Sequence, residues 1–176
     1  VFEAAYLKGL DVKQGHLDRL IELDEDSCYG AVGKAFQTGF PPDQADIDTL
    51  ISRNSFMASS AVTGAVINKF MLSSLQFDRL IAQDFASSLH CVRMTIEYGF
   101  VPSDEQVDAI WNCSDASKFR CLEALFVSVR LPDESEFDQL LLANCSESRR
   151  ALKKSIEKGY VPNDMQKEIV IRQLDQ

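Results

Sequence analysis

The chain has 176 residues, 45% hydrophobic and 26% charged, a composition that belongs to a folded protein and excludes a disordered one. A net charge of −9 repels phosphate backbones, so nucleic-acid binding is not expected. No apolar run reaches the roughly 18 residues of a membrane span, and no signal peptide is visible.

The chain opens Val1-Phe2 without an initiator Met, and Gln176 falls inside a repeating unit, so a piece of a longer protein is expected. Five cysteines stand at 28, 91, 113, 121 and 145. Their odd number and the absence of any CxxC pair predict reduced thiols, no zinc site and a cytoplasmic setting.

Asp18 begins a series that continues, thirty residues at a time, through Asp48, Asp78, Asp108 and Asp138 to Glu168. The residue before each anchor is Leu17, Ile47, Phe77, Val107 or Phe137, until Lys167 breaks the column. Two residues after come Leu20, Leu50, Leu80, Ile110, Leu140 and Val170, and three after come Ile21, Ile51, Ile81, Trp111, Leu141 and Ile171. The agreement needs no gaps. It predicts units 9–38, 39–68, 69–98, 99–128 and 129–158, a partial unit 159–176, and the tail of another unit ahead of them.

Each unit reads as two helices. Asp43, Ser73, Ser103, Asp133 and Asn163 stand five residues before the anchors, followed three residues later by Asp46, Gln76, Gln106, Glu136 and Gln166. That is the capping-box pattern, with Asp46 its weakest match. The second helix is predicted to begin near Ser27, Ser87 and Ser117. Its apolar columns include Ala31, Ala61, Cys91, Cys121 and Ala151, so core packing is the natural role of those two cysteines. The helix stops at Gly39, Gly99 and Gly159, residues suited to a left-handed position. Lys69 and Val129 replace that glycine, and Arg130 replaces the aromatic that follows it, so these two turns are expected to differ in shape. The fold class is therefore all-α, a right-handed-type α-solenoid of helix-turn-helix repeats stacked side by side.

Glu157-Lys158-Gly159-Tyr160-Val161-Pro162-Asn163 resembles the EKGADPN-type ending of an ankyrin repeat, and Gly99-Phe100-Val101-Pro102 and Gly39-Phe40-Pro41-Pro42 are looser versions. The units are shorter than ankyrin units, and Phe137-Asp138-Gln139-Leu140 stands where the TPLH signature would be. The resemblance is to divergent ankyrin-like repeats with the β-hairpin finger shortened or lost. It implies a protein-recognition scaffold, with pathogen or viral effectors that engage a host factor in the host cytosol as one setting. The segment Asp104-Glu105-Gln106-Val107-Asp108-Ala109-Ile110 is also similar to the PEQVVAIA segment of TAL-effector repeats, but the acidic loops Asp24-Glu25-Asp26 and Cys113-Ser114-Asp115 cannot track phosphates.

No catalytic residue, cofactor or metal site is predicted. His16 and His90 stand in different phases without a nucleophile beside them, and no phosphate-cradling glycine motif occurs. The anchor carboxylates, repeated in every unit, are expected to serve the fold, accepting from backbone amides or pairing with Arg19 or Arg79. Residues that break the repeat are the better candidates for contact with another protein: Lys69, Val129, Arg130 and the basic run Arg149, Arg150, Lys153, Lys154 and Lys158. The expected function is a non-enzymatic protein–protein interaction module. The alternative is a substrate-positioning domain of an enzyme whose catalytic part lies elsewhere.

Overall fold

The computed structural model describes residues 13–174, without the side chain of Leu174. The predicted tail of a preceding unit and the boundary at residue 9 lie outside the described residues. Eleven helices follow one another: α1 (Gln14–Glu22), α2 (Asp26–Gln37), α3 (Gln44–Ser52), α4 (Phe56–Ile67), α5 (Ser74–Gln83), α6 (Ala86–Glu97), α7 (Asp104–Asn112), α8 (Lys118–Ser128), α9 (Glu134–Ala143), α10 (Ser146–Glu157) and α11 (Asp164–Leu174). No strand occurs among the described residues. Odd-numbered helices are the first helices of the units and even-numbered ones the second. Each second helix packs on its own first helix and on the second helices before and after it, which makes an all-α solenoid.

The first helices start where the sequence places their caps. Asp43, Ser73, Ser103, Asp133 and Asn163 accept from the amides of Asp46, Gln76, Gln106, Glu136 and Gln166 at 2.8–3.3 Å. The side chains of the latter five accept in return from the cap amides, at 2.9–3.0 Å except for a longer 3.4 Å at Asp46. A cap of this kind contributes about 1 kcal/mol.

The second helices begin within one residue of the predicted positions, at Asp26, Ala86 and Lys118. Ser27 and Ser87 are the second residues of α2 and α6, and Ser117 precedes α8 in helical conformation without a side-chain cap bond. The turn between the two helices is set by a column that the apolar periodicity does not show. Asp24, Asn54, Asp84 and Asn144, thirty apart, all have positive φ, between 42° and 53°. Asp and Asn enter the left-handed region more easily than other non-glycine residues, so they end the first helix and turn the chain. Ser114 occupies the fifth position of this column, and there α8 begins later than its counterparts.

The ends of the second helices divide in an instructive way. At Gly39 (φ 109°) the amide bonds to Phe36 O and that of Phe40 to Ala35 O. Lys69 keeps this geometry with φ 67°, its amide bonding to Val66 O and that of Phe70 to Ala65 O. The expected change of shape at Lys69 is therefore absent: an unbranched residue reaches the left-handed region at a cost of about 1–2 kcal/mol. Val129 does change the turn. Its φ is −115°, and its amide and that of Arg130 both bond to Leu125 O. Crowding at a β-branched Cβ bars the left-handed conformation here.

The core runs the length of the stack. Leu17, Ile47, Phe77, Val107 and Phe137 face inward from the first helices, with Val32, Val62, Val92, Leu122 and Leu152 from the second. Each large side chain so buried contributes about 1.5–3 kcal/mol. Phe100 stacks on Phe77 and Tyr160 on Phe137, with ring centroids 4.4 and 4.1 Å apart, closing the bottom of each hairpin. Small residues bring the second helices together. A Cβ added to Gly64 would lie 2.3 Å from the Gly33 carbonyl oxygen, so α2 and α4 cross with their backbones in contact. Cys91 and Cys121 are fully buried in the predicted small-residue column. Burial pushes the Cys91 thiol up to about 12 and the Cys121 thiol higher still, as befits core residues.

Candidate functional site

The anchor carboxylates belong to a ladder that ties successive units together across four of the five gaps. The capping residue at the third helical position has a side chain with two ends. Its oxygen closes the capping box, and its amide nitrogen reaches back to the anchor of the preceding unit. Gln76 donates to Asp48 at 2.9 Å, Gln106 to Asp78 at 2.5 Å and Gln166 to Asp138 at 2.7 Å. In the first gap the polarity is reversed. Asp46 can only accept, and Gln14 on α1 supplies the amide, donating to Asp18 and to Asp46 at 2.9 and 2.6 Å. Burial raises the Asp46 carboxyl, while the Gln14 hydrogen bond opposes that shift. Arg79 lies 3.7 Å from Asp48 as expected, but Arg19 pairs with Glu22 rather than Asp18, because Glu22 lies one turn along the same exposed helix face.

One gap departs from this rule. Glu136 has no amide to offer Asp108, and Arg130 occupies its carboxylate instead, with both guanidinium nitrogens at 2.6 Å. Arg130 also lies over the Phe126 ring, 5.7 Å from its centroid. The residue that breaks the aromatic column thus compensates for the residue that breaks the glutamine column.

The other sequence candidates are distributed as follows. Lys69 is exposed on its turn, and Val129 is half-buried against the core. On α10, Arg149 donates to Gln173 O at 3.3 Å, Arg150 pairs with Glu123 at 3.0 Å, and Lys154 pairs with Glu157 at 2.8 Å. Lys153 and Lys158 are exposed. The structure does not bring these eight residues into one cluster. His16 Nδ1 accepts from the Lys13 amide, and His90 lies 3.4 Å from Arg93, so the two imidazoles have separate local partners. Among the described residues no group of three His, Cys, Asp or Glu side chains could hold a metal ion. Nor is any described helix long and apolar enough to cross a membrane.

What the stack does present is a repeated groove between successive first helices. Between α5 and α7 it has a volume of about 520 Å³ and is lined by Asp78, Ala82, Asp84, Glu105 and Ala109 among others. The equivalent groove between α9 and α11 measures about 440 Å³ and includes Asp138, Leu142, Asn144, Met165 and Ile169. The two linings correspond position by position at a sixty-residue offset, so they are one architectural feature with different side chains. Periodicity alone hides this site, because its columns are those that vary from unit to unit.

Asp84 links the α5–α7 groove to the next turn. Its carboxylate accepts from the Ser114 hydroxyl and amide at 2.7 Å and from the Asp115 amide at 3.1 Å. These bonds, the Ser114 hydroxyl first, hold its carboxyl below the usual carboxylate value. A depressed pKa in the folded state gives stability that is present above the unfolded value and is lost as pH falls through the folded one. Asp84→Asn should therefore melt below the parent at neutral pH, and the gap should close on acidification through the carboxylate range. Asn54 and Asn144 occupy the same left-handed column, so the change tests the carboxylate rather than the backbone. A gap that is constant with pH would show that the Asp84 charge contributes nothing.

No family model matches the chain, and no curated protein or solved structure is significantly similar to it.

Proposed function

We propose that the array is a non-enzymatic protein-binding module of the divergent ankyrin-like kind, and that its partner lies along the grooves between first helices. The observation that supports this reading is a division of labour among the columns. Caps, core and Gln–Asp links recur from unit to unit, whereas the groove columns carry Ala82, Glu105 and Ala109 in one gap and Leu142, Met165 and Ile169 in another. A scaffold that holds constant what it needs for folding, and varies what it exposes, is suited to recognising a surface. The five free thiols agree with a reducing, intracellular setting, and an effector meeting a host factor is a setting the ankyrin likeness suggests.

Capture on the immobilised chain, followed by hydrogen–deuterium exchange of the complex, tests the proposal. Saturable binding of a protein with protection concentrated on α5, α7, α9 and α11 is the expected result. No saturable protein partner, or protection confined to the second helices, would overturn it.

A further inference from the structure

Successive first helices are tied together at two places. Toward their N-terminal ends are the amide–carboxylate links already described. Toward their C-terminal ends a second column bonds back to the preceding unit. Arg53 pairs with Asp24 at 3.1 Å, Gln83 donates to the Ile51 carbonyl at 2.7 Å, the Cys113 thiol to that of Ile81 at 3.8 Å, and Gln173 to that of Leu141 at 2.9 Å. Four gaps therefore carry both links, and the gap between α7 and α9 carries neither. Glu136 stands there for glutamine in the first column, and Ala143 for the donor in the second. The groups that would bridge this gap are satisfied inside their own units instead. Arg130 takes the Glu136 carboxylate, and Lys118 donates to the carbonyls of Trp111 and Cys113 at 2.9 and 2.6 Å. Among the described residues no hydrogen bond or ion pair joins α7 to α9, and these two pack less closely than any other pair of successive first helices.

We infer that the α7–α9 gap is a hinge, at which the units before residue 129 and those after it swing as two bodies about the second-helix layer. The pivot side is intact. Helices α8 and α10 pack as second helices do elsewhere in the stack, and Arg150 pairs with Glu123 across them at 3.0 Å. The opening side has little to lose. Parting α7 from α9 breaks no hydrogen bond, whereas each other gap would give up two. The cleft between them, about 380 Å³, is lined mainly by polar groups, among them Asp108, Arg130, Ser135 and Gln139, so widening it exposes little apolar surface. Two further departures from the repeat fall at the same joint. Ser114 replaces the left-handed Asp or Asn, and α7 packs less on its own second helix than the other first helices do. Val129 replaces the glycine and reshapes the turn that connects the two bodies. Hinges absorb their motion at a few element-terminal positions of this kind, and a stack with four tied joints opens first at the one that is not. The motion changes the angle between the two parts of the first-helix surface.

Paired nitroxide labels on the full chain read the motion as a spread of distances in double electron–electron resonance. Leu75→Cys with Ser135→Cys spans the hinge, and Ala45→Cys with Glu105→Cys spans as many units without it. All four positions are exposed and belong to one column, sixty residues apart in each pair. A Cys145→Ser background removes the one native thiol that is not buried, with serine a favoured residue at that cap. The hinge pair should give a broader distance distribution than the control pair. Arg130→Tyr, Glu136→Gln and Ala143→Gln together install the residues that stand thirty positions on, Tyr160, Gln166 and Gln173, and should narrow the hinge pair to the control width. Equal widths for the two pairs in the unrepaired array would overturn the hinge. So would a width that the repair leaves unchanged while circular dichroism shows the helices intact. The first comparison needs no repair, so it decides the question even where the triple variant loses stability. Neither measurement involves a partner, and failure of the hinge leaves the binding-module reading standing.

Discussion

Gly64→Ala should destabilise the array by about 2 kcal/mol, and Gly30→Ala should stabilise it by about 0.5–1 kcal/mol. Both glycines lie inside second helices, so alanine gains the same helix propensity at each, about 1 kcal/mol. Their surroundings decide the sign. At Gly64 the new methyl would stand 2.3 Å from the Gly33 carbonyl oxygen and 3.1 Å from Gly33 Cα, which are backbone atoms that cannot swing aside. The helices α2 and α4 must separate, and overpacking of that kind costs toward the upper end of about 1–3 kcal/mol. At Gly30 the nearest atom is Met57 Cε at 3.6 Å, an ordinary contact with the end of a flexible side chain. Urea denaturation of the three proteins reads both changes. Stabilisation by both substitutions would mean that the helices do not cross at backbone contact.

That crossing also marks how far the sequence could be read. The hairpins, their caps and the core columns were legible because each is specified within one unit and repeats thirty residues on. Ser103 and Gln106 announce a capping box from their spacing alone, and the structure closes it. What joins units is harder to see. The pairs Asp48–Gln76 and Asp78–Gln106 are 28 residues apart and meet only once the units are stacked. Sequence spacing showed Gln106 as half of a cap, not as a side chain serving two units. The left-handed column at Asp24, Asn54, Asp84 and Asn144 carries a turn signal in its Asp and Asn residues, but Ser114 interrupts it and the neighbouring acidic residues mask it as loop charge. The groove was obscured for the opposite reason. Its columns differ from unit to unit, as where Leu142 replaces Asn112, so no thirty-residue agreement marks them.

Arg130→Ala should cost about 2–3 kcal/mol, and Glu136→Gln added to it should restore most of that loss. Arg130 holds both oxygens of a carboxylate that is only 7% exposed as a residue and also accepts from the Asp133 amide at 2.9 Å. Removing the guanidinium leaves the Glu136 charge half-desolvated beside the anchor Asp108, with no donor on its outer side. Glutamine at 136 would convert this gap to the pattern of its neighbours, its amide nitrogen donating to Asp108 as Gln106 donates to Asp78. Glu136→Gln alone should cost about 1 kcal/mol or less, because Arg130 is itself partly exposed, its side chain 37% accessible, and regains water when its partner is lost. The double variant should then lie close to the parent, with a coupling energy of at least about 1 kcal/mol. Denaturant midpoints of the four proteins measure it. Additive losses would mean that Arg130 acts through its contact with Phe126 rather than through Glu136. They would also remove the physical reason for an arginine and a glutamate departing from the repeat together, six residues apart in one unit.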